Sequence, residues 1–79
     1  MRVAIAGSTG SIGKQTLDVV RAAGDSGDYQ VVALSANSSV AEVVAQAQSF
    51  KPEVVVVSDP IARAKVAEQL KLTNPKIEV

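Results

Sequence analysis

Val3-Ala4-Ile5-Ala6-Gly7-Ser8-Thr9-Gly10-Ser11-Ile12-Gly13 joins a short apolar run to three glycines at three-residue spacing, and a helical pattern over 14–22 follows directly. A buried strand that turns sharply into a helix produces this order. The turn leaves backbone N–H groups at the helix N-terminus, beside the positive end of the helix dipole, which suits a phosphate or pyrophosphate. Each glycine has its own physical reason. Gly7 permits the tight turn, Gly10 lets a ligand approach the backbone, and Gly13 lets helix and strand pack closely. The competing reading is a glycine-rich turn that serves packing alone.

The context fits a dinucleotide fingerprint, with a strand before, a helix after and a second strand about twenty residues on. The spacing is Gly-x-x-Gly-x-x-Gly because position 9 is Thr. This relative of Gly-x-Gly-x-x-Gly is often met in NADP-dependent reductases. Gly13-Lys14 does not make an ATP- or GTP-binding loop. That pattern needs Gly at position 8 and Ser or Thr at position 15, where the chain has Ser8 and Gln15. Lys14 reads as a solvated first-turn residue.

Working outward, Arg2 to Ala6 reads as the first strand, apolar on both faces like a central parallel strand. Ser11 to Ala23 reads as a helix whose covering face holds Ile12, Thr16, Leu17, Val19, Val20 and Ala23. Gly24-Asp25-Ser26-Gly27-Asp28 is a polar stop and turn. Tyr29 to Ser35 is the second strand. Ser38 or Ser39 caps a helix that runs to about Phe50 on a stripe of Val40, Val43, Val44 and Ala47. Pro52 precedes a third strand, Glu53 to Val57. Asp59-Pro60 starts a third helix, to about Leu70, and Asn74-Pro75 turns into a fourth strand from Lys76 to Val79. The order β-α-β-α-β-α-β predicts an α/β fold, the N-terminal half of a Rossmann-like doubly wound parallel sheet. So small an open sheet leaves an apolar face and edges unprotected, which predicts a fragment of a larger protein.

Composition narrows the function. The 79 residues hold one domain at most, and a formal charge of zero offers no electrostatic case for nucleic acid or an acidic membrane. With no Cys and no His, thiolate catalysis, Cys-rich zinc sites and the commonest general base are absent. No apolar run approaches the roughly 20 residues that span a bilayer, so a cytoplasmic protein is expected. Asp18, Asp25, Asp28 and Asp59 read as solvated or capping residues, and Tyr29 and Phe50 as packing.

In this fold the loop after the second strand meets the adenosine ribose. An acid there selects NAD, and a base accommodates the 2′-phosphate of NADP. The chain has Ala36-Asn37-Ser38-Ser39, with neither. Three neutral hydrogen-bonding side chains and a helix N-terminus can still hold a phosphate, or the serines can serve capping alone.

The run Gly7-Ser8-Thr9-Gly10-Ser11-Ile12-Gly13, followed by Thr16-Leu17-Asp18-Val19-Val20, closely resembles the N-terminus of the 1-deoxy-D-xylulose 5-phosphate reductoisomerases. The likeness extends to Val31-Val32-Ala33-Leu34 and to Pro52 ahead of the valine strand. The resemblance implies an oxidoreductase of the non-mevalonate isoprenoid pathway. Its members rearrange the sugar-phosphate substrate and reduce the resulting aldehyde with NADPH, using Mg2+ or Mn2+. It assigns Thr9, Gly10, Ser11 and Ile12 to NADPH contacts in the phosphate turn and Asn37, Ser38 and Ser39 to the ribose end; Gly7 and Gly13, which shape the turn, and Ala36, at the strand end, complete the candidate cofactor-binding set. The family has Gly-Lys/Arg-Asn where this chain has Asn37-Ser38-Ser39, so the cation expected at the 2′-phosphate is replaced. A homodimer is implied for the full-length enzyme, and the metal and catalytic residues fall beyond position 79. The alternatives are another NADP-dependent reductase, of semialdehyde or acyl-phosphate type, and a nucleotide-sensing domain without chemistry of its own.

Overall fold

Runs of β-branched and small apolar residues build three parallel strands, and each hands over to a helix. The computed structural model describes residues 1–23 and 29–79. The elements are β1 (Arg2–Ile5), α1 (Ser11–Ala23), β2 (Gln30–Ala36), α2 (Val40–Phe50), β3 (Val54–Val57) and α3 (Pro60–Thr73). The sheet is parallel, in the order β1-β2-β3. This is the Rossmann-like α/β pattern that the sequence predicts. The polar stop over 24–28, with Asp25 and Asp28, lies outside the described residues.

The register decides which side chains meet the helices. Ile5 pairs with Leu34 and Leu34 with Val55, while Ala36 pairs with Val57; all five are buried. Between Val3 and Ala4 the β2 partner jumps from Val31 to Ala33, so Val32 is an extra residue in the ladder. This bulge lets Val31, Leu34 and Ala36 share the buried face although they are not evenly two apart. The strand residues join Leu17 of α1, Val43, Val44 and Ala47 of α2, and Ala62, Val66 and Leu70 of α3 in one core. Neighbouring helices are bridged in chain order. Lys14–Glu42 (2.8 Å) and Arg21 over the Phe50 ring link α1 to α2, and Gln48 to Thr73 links α2 to α3. The helices therefore form one layer on one face of the sheet. On the other face Ala4 is exposed, and Val56 remains 56% exposed.

Several expectations need correction. In α1 the core stripe is Gly13, Leu17 and Val20, whereas Ile12 and Val19 are 79% and 65% exposed and Thr16 is exposed. Lys14 is half exposed but ion-paired with Glu42 rather than simply solvated. Ser39 occupies the N-cap of α2, yet its side chain makes no capping bond. Asp59 does cap α3, accepting from the Ala62 N–H at 2.8 Å with Pro60 in the first turn, and α3 runs on to Thr73. The fourth strand shrinks to one parallel bridge at the outer side of β3. There the Glu78 N–H donates to the Glu53 carbonyl and the Val55 N–H to the Glu78 carbonyl.

Candidate functional site

Gly7 turns the chain with φ +63°, a left-handed conformation that side chains rarely tolerate. The next residue, Ser8, is fully buried. Its N–H donates to the Ser35 carbonyl (2.8 Å), as does its hydroxyl (3.2 Å), and the Ser35 hydroxyl accepts from the Gly7 N–H (2.9 Å). The end of β2 thus holds the start of the glycine turn. Gly10 closes it, donating its N–H to the Gly7 carbonyl (3.0 Å), and its own carbonyl takes the Lys14 N–H (2.9 Å). A Cβ on Gly13 would fall against the Gly7 carbonyl oxygen and within 2.7 Å of the Ser8 Cα, so only glycine lets α1 pack this closely. Gly10 is exposed, and a Cβ there would meet only the Gly7 carbonyl, at 3.3 Å.

The backbone donors divide cleanly. Those of Gly7, Ser8 and Gly10 are used inside the turn. Those of Ser11, Ile12 and Gly13 precede the first hydrogen bond of α1 and have no intrahelical acceptor. The Thr9 N–H also has no protein partner among the described residues. Meanwhile the carbonyls of Gly7, Ser8 and Gly10 all accept from protein donors, the Ser8 carbonyl from the Gln46 side-chain amide at 2.8 Å. The turn therefore presents donors while the carbonyls of Gly7, Ser8 and Gly10 are occupied, at the positive end of a 13-residue helix. Such an arrangement can receive an anion.

The second group of predicted residues lies beside it, at the carboxyl end of the adjacent strand β2. Ala36 is buried, and its carbonyl accepts the Ser58 N–H (3.1 Å). The Asn37 carbonyl accepts the Asp59 N–H (3.1 Å), and its side-chain oxygen accepts the Ser58 hydroxyl (2.7 Å). The Asn37 amide therefore keeps its N–H donors for solvent or a ligand. The carbonyls of Ser38 and Ser39 serve Val40 and Val43, while their hydroxyls have no hydrogen bond among the described residues. Every predicted site residue thus sits at the carboxyl edge of β1 or β2 or in the first turn of the following helix. This edge is where open α/β sheets take their ligands.

Ser35, Gln46 and Ser58 belong to this arrangement although the sequence reading did not single them out. Ser58 had a usable signal, since it ends the valine strand at the same edge; Ser35 and Gln46 act through contacts 28 and 38 residues away in sequence. A surface hollow of about 490 Å³ lies at the opposite edge, between Lys51, Pro52, Asn74, Pro75 and Ile77. Among the described residues no three His, Cys, Asp or Glu side chains gather to hold a metal, and no helix is long and apolar enough to cross a membrane.

Residues 3–79 match the family model described as 1-deoxy-D-xylulose 5-phosphate reductoisomerase. Among curated proteins of that name, the chain is 47% identical over 77 residues to the one from Nitrosococcus oceani, covering 98% of this chain and 19% of the relative. It is 45% identical over 76 residues to that of Agathobacter rectalis, covering 96% of this chain and 19% of the relative. With that of Paraburkholderia xenovorans it is 45% identical over 78 residues, covering 99% and 19%. The chain thus spans about a fifth of the length of the curated relatives it matches.

Proposed function

The chain belongs to the 1-deoxy-D-xylulose 5-phosphate reductoisomerase family, and from that premise we propose that it forms the N-terminal part of an NADPH-binding domain. The intact protein then converts 1-deoxy-D-xylulose 5-phosphate to 2-C-methyl-D-erythritol 4-phosphate. One observation carries the cofactor reading: the Thr9, Ser11, Ile12 and Gly13 N–H groups have no protein acceptor among the described residues, while the carbonyls of Gly7, Ser8 and Gly10 are occupied. A pyrophosphate needs such a set of donors and is repelled by exposed carbonyl oxygens.

In this reading Gly7 and Gly13 shape the turn, Gly10 leaves room for the phosphates, and Thr9, Ser11 and Ile12 hold them. Ala36 places the ribose loop, where Asn37, Ser38 and Ser39 meet the 2′-phosphate. The Asn37 side-chain oxygen accepts the Ser58 hydroxyl, which leaves the amide N–H groups as donors that an anion can take. When bound, NADPH supplies the hydride that reduces the rearranged substrate. The residues assigned to the cofactor hold and orient the dinucleotide, and none of them carries a titratable side chain. The divalent metal, Mg2+ or Mn2+, and the catalytic groups then belong to sequence beyond position 79. The intact protein is taken as a cytoplasmic homodimer acting on a sugar phosphate.

Titration of the intact protein with NADPH and NADH, followed by nicotinamide fluorescence, tests the reading. Saturable NADPH binding that exceeds NADH binding is expected. No binding of either refutes it.

A further inference from the structure

We propose that Gln46 is a positioning residue of the phosphate turn, setting the direction of the Ser8–Thr9 peptide; the proposal rests on the cofactor reading above. The Gln46 side-chain nitrogen donates to the Ser8 carbonyl at 2.8 Å, reaching from α2 across to the turn. In a trans peptide the carbonyl and the following N–H point in opposite directions. Holding the Ser8 carbonyl toward α2 therefore turns the Thr9 N–H away from α2, where it has no protein partner.

The other occupied carbonyls do not depend on any side chain. Gly7 accepts from the Gly10 N–H and Gly10 from the Lys14 N–H, so both survive substitution elsewhere. The Ser8 carbonyl alone among them is held by a side chain from another element. Ser8 is fully buried, so losing that donor would leave a carbonyl short of a partner. Rotation of the peptide toward solvent would relieve it. The same rotation would aim oxygen at the phosphate and withdraw the Thr9 N–H.

Gln46 is also a costly choice for the core alone. Its side-chain oxygen is buried without a hydrogen-bond partner, next to Val43 and Ala47 on the covering face of α2. An apolar residue would avoid that desolvation. What the amide adds is its donor, and the turn is where that donor goes.

The test uses the intact protein with Gln46→Glu and Gln46→Met, titrated with NADPH at pH 8 and pH 5.5 beside the unmodified protein. In Gln46→Glu the ionised carboxylate keeps the shape, loses the donor and repels the Ser8 carbonyl. NADPH affinity at pH 8 is expected to fall about ten-fold or more, the scale of one hydrogen bond to a charged group. At pH 5.5 the gap to the unmodified protein should narrow, because a protonated carboxyl can donate to the Ser8 carbonyl again. Partial burial beside an acceptor favours that neutral form. Gln46→Met should lose affinity equally at both pH values, with a melting temperature close to the original.

Unchanged affinity of Gln46→Glu at pH 8, in a protein that binds NADPH, overturns this proposal and leaves the cofactor reading standing. So does a loss that persists at pH 5.5 and parallels a drop in melting temperature. Absence of NADPH binding by the unmodified protein overturns both.

Discussion

Gly10→Val separates binding from folding more sharply than any other change in the turn. Gly10 is exposed, its φ lies outside the left-handed region, and a Cβ there would touch only the Gly7 carbonyl, at 3.3 Å. A shift of a few tenths of an ångström accommodates it, so the fold should lose about 1 kcal/mol or less. The valine methyl groups, however, would add bulk at the exposed turn where the phosphates are proposed to reach the N–H groups of Ser11 and Ile12. Blocking two hydrogen bonds to a charged phosphate, at about 1.5–3 kcal/mol each, removes about 3–6 kcal/mol of binding, or roughly 10²–10⁴ in Kd. Gly13→Ala should show the opposite order of effects. Its Cβ meets the backbone of Gly7 and Ser8, which cannot swing aside, so stability falls first, by about 1–3 kcal/mol. Fluorescence titration with NADPH and thermal melts by circular dichroism, on the intact protein, read both quantities. A folded Gly10→Val protein with unchanged NADPH affinity would refute the assignment of this turn to the phosphates.

Charge added at the ribose end should move cofactor choice. Ser38→Lys is expected to tighten NADPH relative to NADH by about 1 kcal/mol, several-fold in the ratio of dissociation constants, and Ser38→Asp to reverse it. If neither variant moves the ratio, that loop does not read the 2′-phosphate. Asp59→Ala removes the acceptor that caps α3 and should cost about 1 kcal/mol in a denaturant melt, with Asp59→Asn retaining most of it; equal losses from both would mean that the cap bond contributes little. The 79-residue segment alone should not oxidise NADPH with deoxyxylulose phosphate and magnesium, and should self-associate through the Val56 face. Turnover matching the intact enzyme, from a monodisperse monomer, would contradict both expectations.

The fold was legible because strand and helix periods alternate cleanly and are punctuated by Gly, Pro and Asp. The bounds of α1 and the C-terminal end of α2 match the reading, and Asp59-Pro60 starts α3 where the cap chemistry says it should. Faces were harder. In α1 the exposed set Ile12, Thr16 and Val19 has a helical spacing as regular as the set that faces the core, Gly13, Leu17 and the partly buried Val20. Periodicity cannot rank two such stripes. The contact of Gly13 with the Gly7 carbonyl decides between them, and that depends on how the turn folds back. The bulge at Val32 was invisible for a related reason, because four apolar residues in a row carry no alternation to break.

The site divides in the same way. Three glycines announce a turn that frees N–H groups, since their effect is local and needs no partner. Which N–H groups stay free is a non-local matter. Ser35, 28 residues downstream, takes the Gly7 N–H with its hydroxyl and the Ser8 N–H with its carbonyl, which leaves Gly7 to shape the site rather than bind in it. The donors therefore shift toward Thr9 and the first turn of α1. Asn37 follows the same logic: a side chain that can donate or accept becomes a donor toward solvent once Ser58 occupies its oxygen. At both ends of the candidate site a serine at the carboxyl edge of the neighbouring strand determines which polar groups still face outward. A basic residue supplies positive charge wherever it reaches; under the proposed reading this neutral loop would instead take its preference for an anion from the orientation of its dipoles, and so from the parallel pairing of β2 with β3.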